Sequence, residues 1–184
     1  MLRLYKAQDV LIEAIGICRN KKLNIKLVLV GDGDMRPILE KKVEELRLTD
    51  SVEFTGELLF GDAVRAQLDK ADIFVLPSRQ EGLPRAMIEA MARGLPCIGA
   101  TIGGIPELLP PEDMVPPNDA GILADRIIEV LSDAERMERM SARNLGIAKE
   151  YQQDVLIHRK IELLRCLKTK TEEWLEGKGE AKKL

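Results

Sequence analysis

The chain has 184 residues, of which 45% are hydrophobic and 32% charged, enough for one globular domain with its own core. Its 28 Lys and Arg face 31 Asp and Glu, and the net charge of -3 leaves no positive excess for a nucleic-acid backbone. Aromatic residues, at 3%, are too few to stack single-stranded bases. We therefore expect an aliphatic core and no nucleic-acid partner.

Short β-branched runs alternate with amphipathic helical segments up to about residue 116. This alternation is typical of βαβ units, in which helices cover both faces of a parallel sheet, so the predicted fold class is α/β. The expected strands are residues 25–30, 52–55, 73–76, 97–100 and a short piece at 114–115.

Apolar residues recur at helical spacing from Val10 to Cys18, and again after Pro37, which suits a first helical turn. After Asn118 the pattern becomes purely helical, with three segments near 119–131, 133–149 and 153–175. The polar residues 177–184 are predicted to fray, and residues 1–176 to form a single domain.

Cysteine and histidine counts exclude several kinds of site. Cys18, Cys97 and Cys166 are odd in number and far apart, which favours neither a disulfide framework nor a zinc site. The single histidine, His158, lies in a helical segment without a nearby nucleophile, so Ser-His and Cys-His catalysis are not expected. No long apolar run or signal-peptide pattern is present, and we predict a cytoplasmic location.

Residues 76–109 form the most informative stretch, with the pattern of a strand, loop, helix, tight turn, strand and glycine-rich loop. Pro84 suits the first helical turn and Gly94 a left-handed helix end. Glu81 then falls in the loop at the carboxyl end of a strand, and Glu89 in the helix. Ligands of open parallel sheets bind at that end, so the placement suits a substrate with phosphate and hydroxyl groups.

Each of these residues also has a purely structural interpretation. Glu89 has Arg85 and Arg93 at helical spacing and could form an exposed ion pair. Glu81 could be a solvated loop acid, and Gly103-Gly104 could serve only as a turn.

Taken together, the string EGLPRAMIEAMARGLPCIGATIGGIPELL resembles the signature of the group 1 glycosyltransferases (glycosyltransferase family 4). That family has an E-x7-E motif, an A-M-A-x-G-x-P turn and a G-G-x-x-E loop. YKAQDVLIEAI, LVLVGDGDMRPILE and VEFTGEL are also similar to family segments, so the resemblance covers about residues 4–150. In the family this is the second, donor-binding, Rossmann-like domain of a two-domain GT-B enzyme.

The resemblance implies that the chain binds a nucleotide sugar and belongs to a hexosyltransferase that retains anomeric configuration. Lys6 matches the lysine that meets the diphosphate, Glu81 the acid that contacts the transferred sugar, and Glu89 the acid that binds ribose. Lys6 and Glu81 are thus the implied catalytic residues. The other implied donor contacts are Gly82, Leu83, Gly56, Glu57, Leu58, Thr101, Gly103 and Gly104.

No metal or other cofactor is required by the family that the sequence resembles. The Asp32-Gly33-Asp34 sequence has the D-x-D pattern that holds divalent cations in another glycosyltransferase class. Here it follows a strand directly, at the place of the family's G-D-G-P turn, so we predict no metal site. A phosphate-binding P-loop motif is also absent from the sequence.

The sequence departs from the family at its amino end. Met1 lies five residues before Lys6, so the acceptor-binding domain and most of the first strand are not present. Arg3 lies too close to Lys6 to match the family's arginine, and Ala7 replaces a common glycine. We expect an N-terminal acceptor-binding domain as the missing partner, membrane-face association only through that half, and no activity of the isolated chain.

Two other functions stay open at this stage. The chain could be a non-catalytic nucleotide-sugar-binding module that acts with a separate acceptor domain. It could also be an unrelated α/β hydrolase or epimerase, although the sequence offers no catalytic residues for one.

The first strand is central in a Rossmann-like sheet of order 3-2-1-4-5-6, and only residues 1–4 are present to fill it. Unpaired backbone groups along its two neighbours would cost roughly 1 to 3 kcal/mol for each buried group. We therefore expect a marginally stable chain in which Lys6 is loosely held.

Overall fold

The computed structural model describes residues 1–58 and 61–181. The chain divides into two compact units, Met1–Ile147 and Ala148–Leu184. The predicted single domain of residues 1–176 stays a prediction, since a division into compact units is not a test of independent folding.

Among its described residues the first unit contains five short parallel strands, which form two separate sheets. In chain order the strands are β1 (Leu27–Val30), β2 (Val52–Gly56), β3 (Phe74–Leu76), β4 (Cys97–Ala100) and β5 (Met114–Val115). β1 pairs with β2, and β4 lies between β3 and β5. All five predicted strands are therefore present, with shifts of one or two residues at some ends.

Helices cover both sides of the sheets, and the predicted α/β, Rossmann-like class with a helical C-terminal segment is confirmed. In chain order the described helices are α1 (Gln8–Asn20), α2 (Arg36–Glu45), α3 (Asp62–Leu68), α4 (Arg85–Ala92), α5 (Ala120–Leu131) and α6 (Ala134–Lys149), and the second unit contains α7 (Gln153–Ala181). Short 3-10 turns lie at Leu4–Lys6, Ile105–Glu107 and Pro111–Asp113. The sequence analysis did not predict α3, which is only seven residues long.

The core is aliphatic, as composition predicts. The buried face of α1 carries Val10, Leu11, Ala14 and Cys18, and α1 packs against α5 and α2. α5 begins where it does because the Asp119 carboxylate accepts a hydrogen bond from the Ile122 N–H at 2.8 Å. Residues of both sheets and of α1, α2, α5 and α6 thus share one cluster of buried side chains.

Residues 1–4 belong to neither sheet. The N–H of Leu2 donates to the Asp32 carbonyl at 2.9 Å, the Leu2 carbonyl accepts from Met35 N–H, and the Leu2 side chain is buried. Within residues 1–58 and 61–181, no ladder connects β1 with β3. Each of these two strands therefore has one edge without a strand partner.

The second unit consists mainly of α7, which continues to Ala181 and so extends into the predicted tail 177–184. Residues 182–184 of that tail lie outside the described residues. His158 is exposed on α7 and lies 3.3 Å from Glu162. No helix of the described part of the chain is long and apolar enough to cross a membrane.

Candidate functional site

The predicted site residues follow the carboxyl ends of the strands, where the loops of a parallel sheet meet at one edge. Glu81 to Leu83 lie between β3 and α4, and Thr101 to Gly104 follow β4 directly. Gly56 ends β2, and Lys6 ends the short turn before α1.

Lys6 and Glu81 meet although 75 residues separate them in the sequence. The Lys6 Nζ lies 2.5 Å from Glu81 Oε1, and the Ser78 hydroxyl donates to the same oxygen at 2.7 Å. The Glu81 side chain is only 8% exposed, so its interpretation as a solvated loop acid is wrong. Burial of a carboxylate is costly, and charge-assisted hydrogen bonds of this kind offset that cost.

Ser78 is a site residue that the sequence analysis missed. It is fully buried and comes two residues after β3, at the edge where the other candidate residues lie. Its position just after a strand was the available signal, but a lone serine has no spacing pattern to single it out.

The backbone around Lys6 makes hydrogen bonds that the sequence analysis did not foresee, and the loose placement of Lys6 stays a prediction. The 3-10 turn Leu4–Lys6 ends at Ala7, whose φ of 54° is left-handed and whose N–H bonds to the Leu4 carbonyl. The backbone N–H of Arg79 also donates to the Tyr5 carbonyl at 2.7 Å. Tertiary hydrogen bonds thus fix a turn that we expected an adjoining strand to hold.

Gly103 and Gly104 press against the loop that carries Glu81. A Cβ at Gly103 would lie 2.0 Å from the Glu81 carbonyl oxygen, and one at Gly104 would lie 2.8 Å from that of Gly82. The Gly104 N–H donates to the Gly82 carbonyl at 3.0 Å. The two glycines therefore do more than turn the chain, because they allow two site loops to touch.

Thr101 and Leu83 lie at the rim of the site. The Thr101 backbone N–H and hydroxyl both donate to the Val115 carbonyl, at 2.8 and 3.2 Å, so this side chain ties the loop to β5. Leu83 is exposed and leaves its side chain free for an apolar contact.

Glu89 is exposed on α4, on the side away from the buried Met87 and Met91. Arg93 pairs instead with Asp69, Nε to Oδ1 at 2.5 Å, and Glu89 has no ion pair within the described residues. The simple ion-pair interpretation of Glu89 is therefore wrong. The structure records no contact between this carboxylate and the Lys6–Glu81 pair, so its role stays a prediction.

The strand β2 ends at Gly56, and Glu57 and Leu58 follow it, next to the loop after β1. Gly56 has a left-handed φ of 69° and bridges to Gly31, whose N–H donates to its carbonyl at 2.9 Å. Burial and the Lys6 ammonium lower the pKa of the Met1 amino group, while Glu57 acts in the opposite direction.

Both carboxylates of the Asp32-Gly33-Asp34 sequence form ion pairs with arginines. Asp32 pairs with Arg36 at 2.8 Å, and Asp34 pairs with Arg3. The Gly33 N–H and the Arg36 guanidinium lower the pKa of the Asp32 carboxyl. Across the part of the chain that the structure describes, no group of three His, Cys, Asp or Glu side chains is placed to hold a metal ion.

Two further features lie away from this edge. Burial raises the pKa of the Cys97 thiol to about 12, which makes it a core residue and a poor nucleophile. A shallow depression of about 740 Å³ is lined by residues of α1 and of the loop after α2, including Glu13, Arg19 and Arg47, and by none of the predicted site residues. The predicted site residues lie at the Lys6–Glu81 cluster and not in this depression.

Comparison with known proteins identifies the family. The family model described as glycosyl transferases group 1 matches residues 1–133. The chain belongs to the group 1 glycosyltransferases. The resemblance seen in the sequence is thereby confirmed, and the chain corresponds to the C-terminal domain of the GT-B fold.

Curated relatives in this glycosyltransferase family are roughly one-third identical to the chain. N-acetyl-alpha-D-glucosaminyl L-malate synthase of Bacillus anthracis is 35% identical over 125 residues, which are 66% of this chain and 32% of that protein. The putative colanic acid biosynthesis glycosyltransferase WcaL of Salmonella typhimurium is 32% identical over 168 residues, 84% of this chain and 41% of WcaL. The chain thus spans less than half the length of these relatives.

A solved structure shows the same fold. Alr3699/HepE of Anabaena, determined in complex with UDP and with UDP-glucose, superposes with a TM-score of 0.79 at 24% identity. The match covers 90% of this chain and 46% of HepE.

Proposed function

We propose that this chain is the donor-binding half of a glycosyltransferase that takes a hexose from a nucleotide sugar with retention of anomeric configuration. The observation that carries the proposal is the Lys6–Glu81–Ser78 cluster, which lies against the Gly103-Gly104 loop at the carboxyl ends of the strands. Family membership and the UDP and UDP-glucose complexes of HepE support it.

Lys6 would act on the leaving group. In the transfer, the bond between the anomeric carbon and the diphosphate oxygen breaks, and its electron pair stays on that oxygen. The acceptor hydroxyl oxygen forms the new bond to the anomeric carbon, and its proton passes to the departing diphosphate. The diphosphate gains negative charge, which a fixed ammonium stabilises most strongly in the transition state. The Lys6 side chain is 26% exposed, so its Nζ can reach a phosphate.

Glu81 would orient the sugar. A carboxylate has about four acceptor positions, and Lys6 and Ser78 both occupy Oε1. Oε2 therefore stays available for a sugar hydroxyl. When a diphosphate draws the Lys6 ammonium toward itself, Oε1 also gains acceptor capacity.

Glu89 and the end of β2 would hold the nucleoside. An exposed, unpaired carboxylate on α4 can accept two hydrogen bonds from the vicinal hydroxyls of ribose. Gly56, Glu57 and Leu58 would lie beside the base, and the backbone N–H groups of Gly82 and Leu83 beside the donor. No metal or other cofactor forms part of this proposal.

Calorimetric titration with UDP, GDP and ADP, followed by their sugars, tests the proposal. One of the three nucleotides should bind with much higher affinity than the other two. Lys6→Ala should weaken binding of the nucleoside diphosphate by about tenfold or more, since hydrogen bonds to charged groups are worth about 1.5 to 3 kcal/mol. Glu81→Gln should weaken the nucleotide sugar more than the free nucleotide, because only the sugar contacts that carboxylate.

Lys42→Ala is the matched control. Lys42 also forms an ion pair, with Glu13, and its side chain is 25% exposed against 26% for Lys6. The Lys42→Ala variant should bind nucleotide with the same affinity as the unaltered chain. Equal affinities of the Lys6→Ala and Lys42→Ala variants, or no binding of any of the three nucleotides, would refute the proposed site.

Transfer also needs an acceptor site. We propose that this is supplied by an N-terminal domain, and that membrane-face association, where it occurs, comes through that partner. The 184-residue chain alone should then bind donor without transferring sugar, whereas addition of an acceptor domain should give turnover. Sustained binding without turnover in that complex would favour the non-catalytic module.

A further inference from the structure

Arg79 joins two parts of the site that are distant in the sequence. Its Nη1 and Nη2 donate to the two carboxylate oxygens of Asp9 at 2.9 and 2.8 Å. Nη1 also donates to the Leu4 carbonyl at 2.7 Å, and the Arg79 backbone N–H donates to the Tyr5 carbonyl at 2.7 Å. One residue of the β3–α4 loop thus binds both the turn before α1 and its first helical turn.

These contacts surround the backbone that carries Lys6. The Leu4–Lys6 turn ends at Ala7 in a left-handed conformation, which is unfavourable for a residue with a Cβ and needs support from its surroundings. Lysine itself has a long, flexible side chain, so the placement of its ammonium depends on a fixed backbone. Arg79 supplies two of the hydrogen bonds that fix that backbone.

The same loop also holds the partner of Lys6. Ser78, immediately before Arg79, donates to Glu81 Oε1. Asn118, in the loop between β5 and α5, accepts from Arg79 Nε at 2.5 Å. Three loops at the carboxyl edge therefore converge on one guanidinium.

We propose that Arg79 is a positioning residue, which fixes the Lys6 ammonium relative to Glu81 and the donor diphosphate through Asp9 and the carbonyls of Leu4 and Tyr5. This role rests on the proposed function of the site. It differs from a direct phosphate contact, because four of the five N–H donors of the guanidinium are directed at protein oxygens.

The charges agree with this geometry. Although partial burial acts in the opposite direction, hydrogen bonding and attraction from Arg79 lower the pKa of Asp9. The pKa of Arg79 is raised, mainly by its hydrogen bonds to Asp9. Both groups are therefore fully charged near neutral pH, and the link does not weaken there.

A double-mutant comparison separates positioning from general support of the fold. Arg79→Ala should weaken binding of the preferred nucleotide by about as much as Lys6→Ala, about tenfold. Combined with Lys6→Ala it should add little, because both changes remove the same interaction. Arg79→Lys should retain part of the affinity, since an ammonium can keep one of the Asp9 bonds. Losses that add in the double variant would overturn the proposal.

The second readout does not depend on nucleotide binding. Competitive acetylation followed by mass spectrometry gives the relative reactivity of the Lys6 amine in the full 184-residue chain. Arg79→Ala and Asp9→Asn should raise the reactivity of Lys6 toward that measured in Glu81→Gln, the variant in which the Lys6–Glu81 ion pair is removed. Arg93→Ala, which breaks an Arg–Asp pair elsewhere, should leave Lys6 unchanged.

The two readouts keep the hypotheses apart. If the unaltered chain binds none of the nucleotides, the proposed function fails, and the acetylation rates alone decide the role of Arg79. An unchanged Lys6 reactivity in both Arg79→Ala and Asp9→Asn, with circular dichroism showing that both are folded, would contradict the positioning role.

Discussion

At the scale of single residues, the most constrained group is the Glu81 carboxylate. It is nearly buried, and one of its oxygens accepts from both an ammonium and a hydroxyl. Two donors on one oxygen fix the direction of the other oxygen. That oxygen is the one we assign to the sugar.

Ser78→Ala tests this orientation. Removal of one hydrogen bond to a charged group should cost about 1.5 to 3 kcal/mol in the protein, part of which appears as lost affinity for the sugar. Binding of the nucleotide sugar should fall while binding of the free nucleotide stays within about twofold, well under 1 kcal/mol. Parallel losses for the two ligands in calorimetry would show that Ser78 only supports the fold.

The Asp9–Arg79 pair predicts a pH dependence of stability. The pKa of Asp9 is lower in the folded chain than its usual value of about 3.9, so folding favours the ionised carboxylate. Its contribution is present above that value and is lost as the pH falls through the lowered pKa. Between pH 5 and pH 2, roughly the range over which an aspartate titrates, unfolding in urea should show a smaller pH dependence for Asp9→Asn than for the unaltered chain.

An equal pH dependence in both proteins would contradict this assignment. Asp69→Asn is a suitable comparison, because Asp69 pairs with Arg93 in a more exposed setting and has no resolved role in the site.

The individual site residues were predictable to different degrees. Glu81 and Glu89 stand in a long motif, and parallel-strand geometry places the loop that carries Glu81 at the binding edge. Ser78 and Arg79 were missed, because their roles come from contacts with Glu81 and with Asp9, which lies 70 residues away, and not from local spacing. The burial of Glu81 was also missed, since a charged loop residue is usually solvated.

At the scale of elements, the site depends on the close approach of the β3–α4 and β4–β5 loops. Gly103 has a left-handed φ of 51°, and its Cα faces the Glu81 carbonyl. Gly104 lies against the Gly82 backbone and bonds to it. The backbone position of Glu81 is thereby set by a loop that begins 20 residues later.

Gly103→Ala should lower stability and donor affinity together. The left-handed conformation alone costs about 1 to 2 kcal/mol for a residue with a Cβ, and the overlap with the Glu81 carbonyl forces the two loops apart. The expected result is a lower urea midpoint and weaker binding of the nucleotide sugar.

Gly146→Ala is the control, because it lies inside α6 with nothing within 4 Å of the added Cβ. This change should raise stability by up to about 1 kcal/mol, as alanine is the better helix former. A Gly103→Ala protein as stable as the unaltered chain would mean that the two loops do not touch in solution.

The strands show which backbone groups have partners. The N–H groups of Leu27 and Gly31 donate toward β2, so alternation places the N–H groups of Val28 and Val30 on the opposite edge of β1. By the same alternation the N–H of Val75 lies on the edge of β3 away from β4, because that of Phe74 donates to the Pro96 carbonyl.

Hydrogen exchange followed by NMR should reveal this pattern. The amides of Val28, Val30 and Val75 should exchange faster than that of Leu29, which lies between two residues with open-edge amides and faces β2. Equal protection of all four would show that another segment covers the open edges in solution.

Element types were predictable because β-branched runs and helical stripes alternate clearly. Strand ends shifted by one or two residues, as at β1, where Ile25 and Lys26 precede the ladder. α3 was missed because a seven-residue helix carries too little periodicity.

At the scale of the whole molecule, one aliphatic core is shared by two sheets that no described strand connects. Burial of apolar side chains, and not a continuous sheet, holds the two halves of the first unit together. We therefore expect modest stability, since domains of this size are stabilised by only about 5 to 15 kcal/mol and unpaired edges subtract from it.

Addition of about ten upstream residues that can form a strand should raise the melting temperature and slow exchange at Val28 and Val75, because each new ladder pairs open backbone groups. The control is an equally long Gly/Ser extension, which cannot form a stable strand and should change neither. A melting point above roughly 60 °C for the 184-residue chain, the upper range of ordinary domains, would contradict the expected modest stability.

The most direct test of the whole account is to map where a nucleotide binds, by recording amide NMR spectra of the isotopically labelled chain during titration with UDP, GDP and ADP. We predict saturable shifts at the carboxyl edge, in Lys6, Gly82, Gly103 and Gly104, that weaken in Lys6→Ala. Shifts confined to the depression around Glu13, Arg19 and Arg47, with the carboxyl edge unaffected, would contradict the assignment of the site.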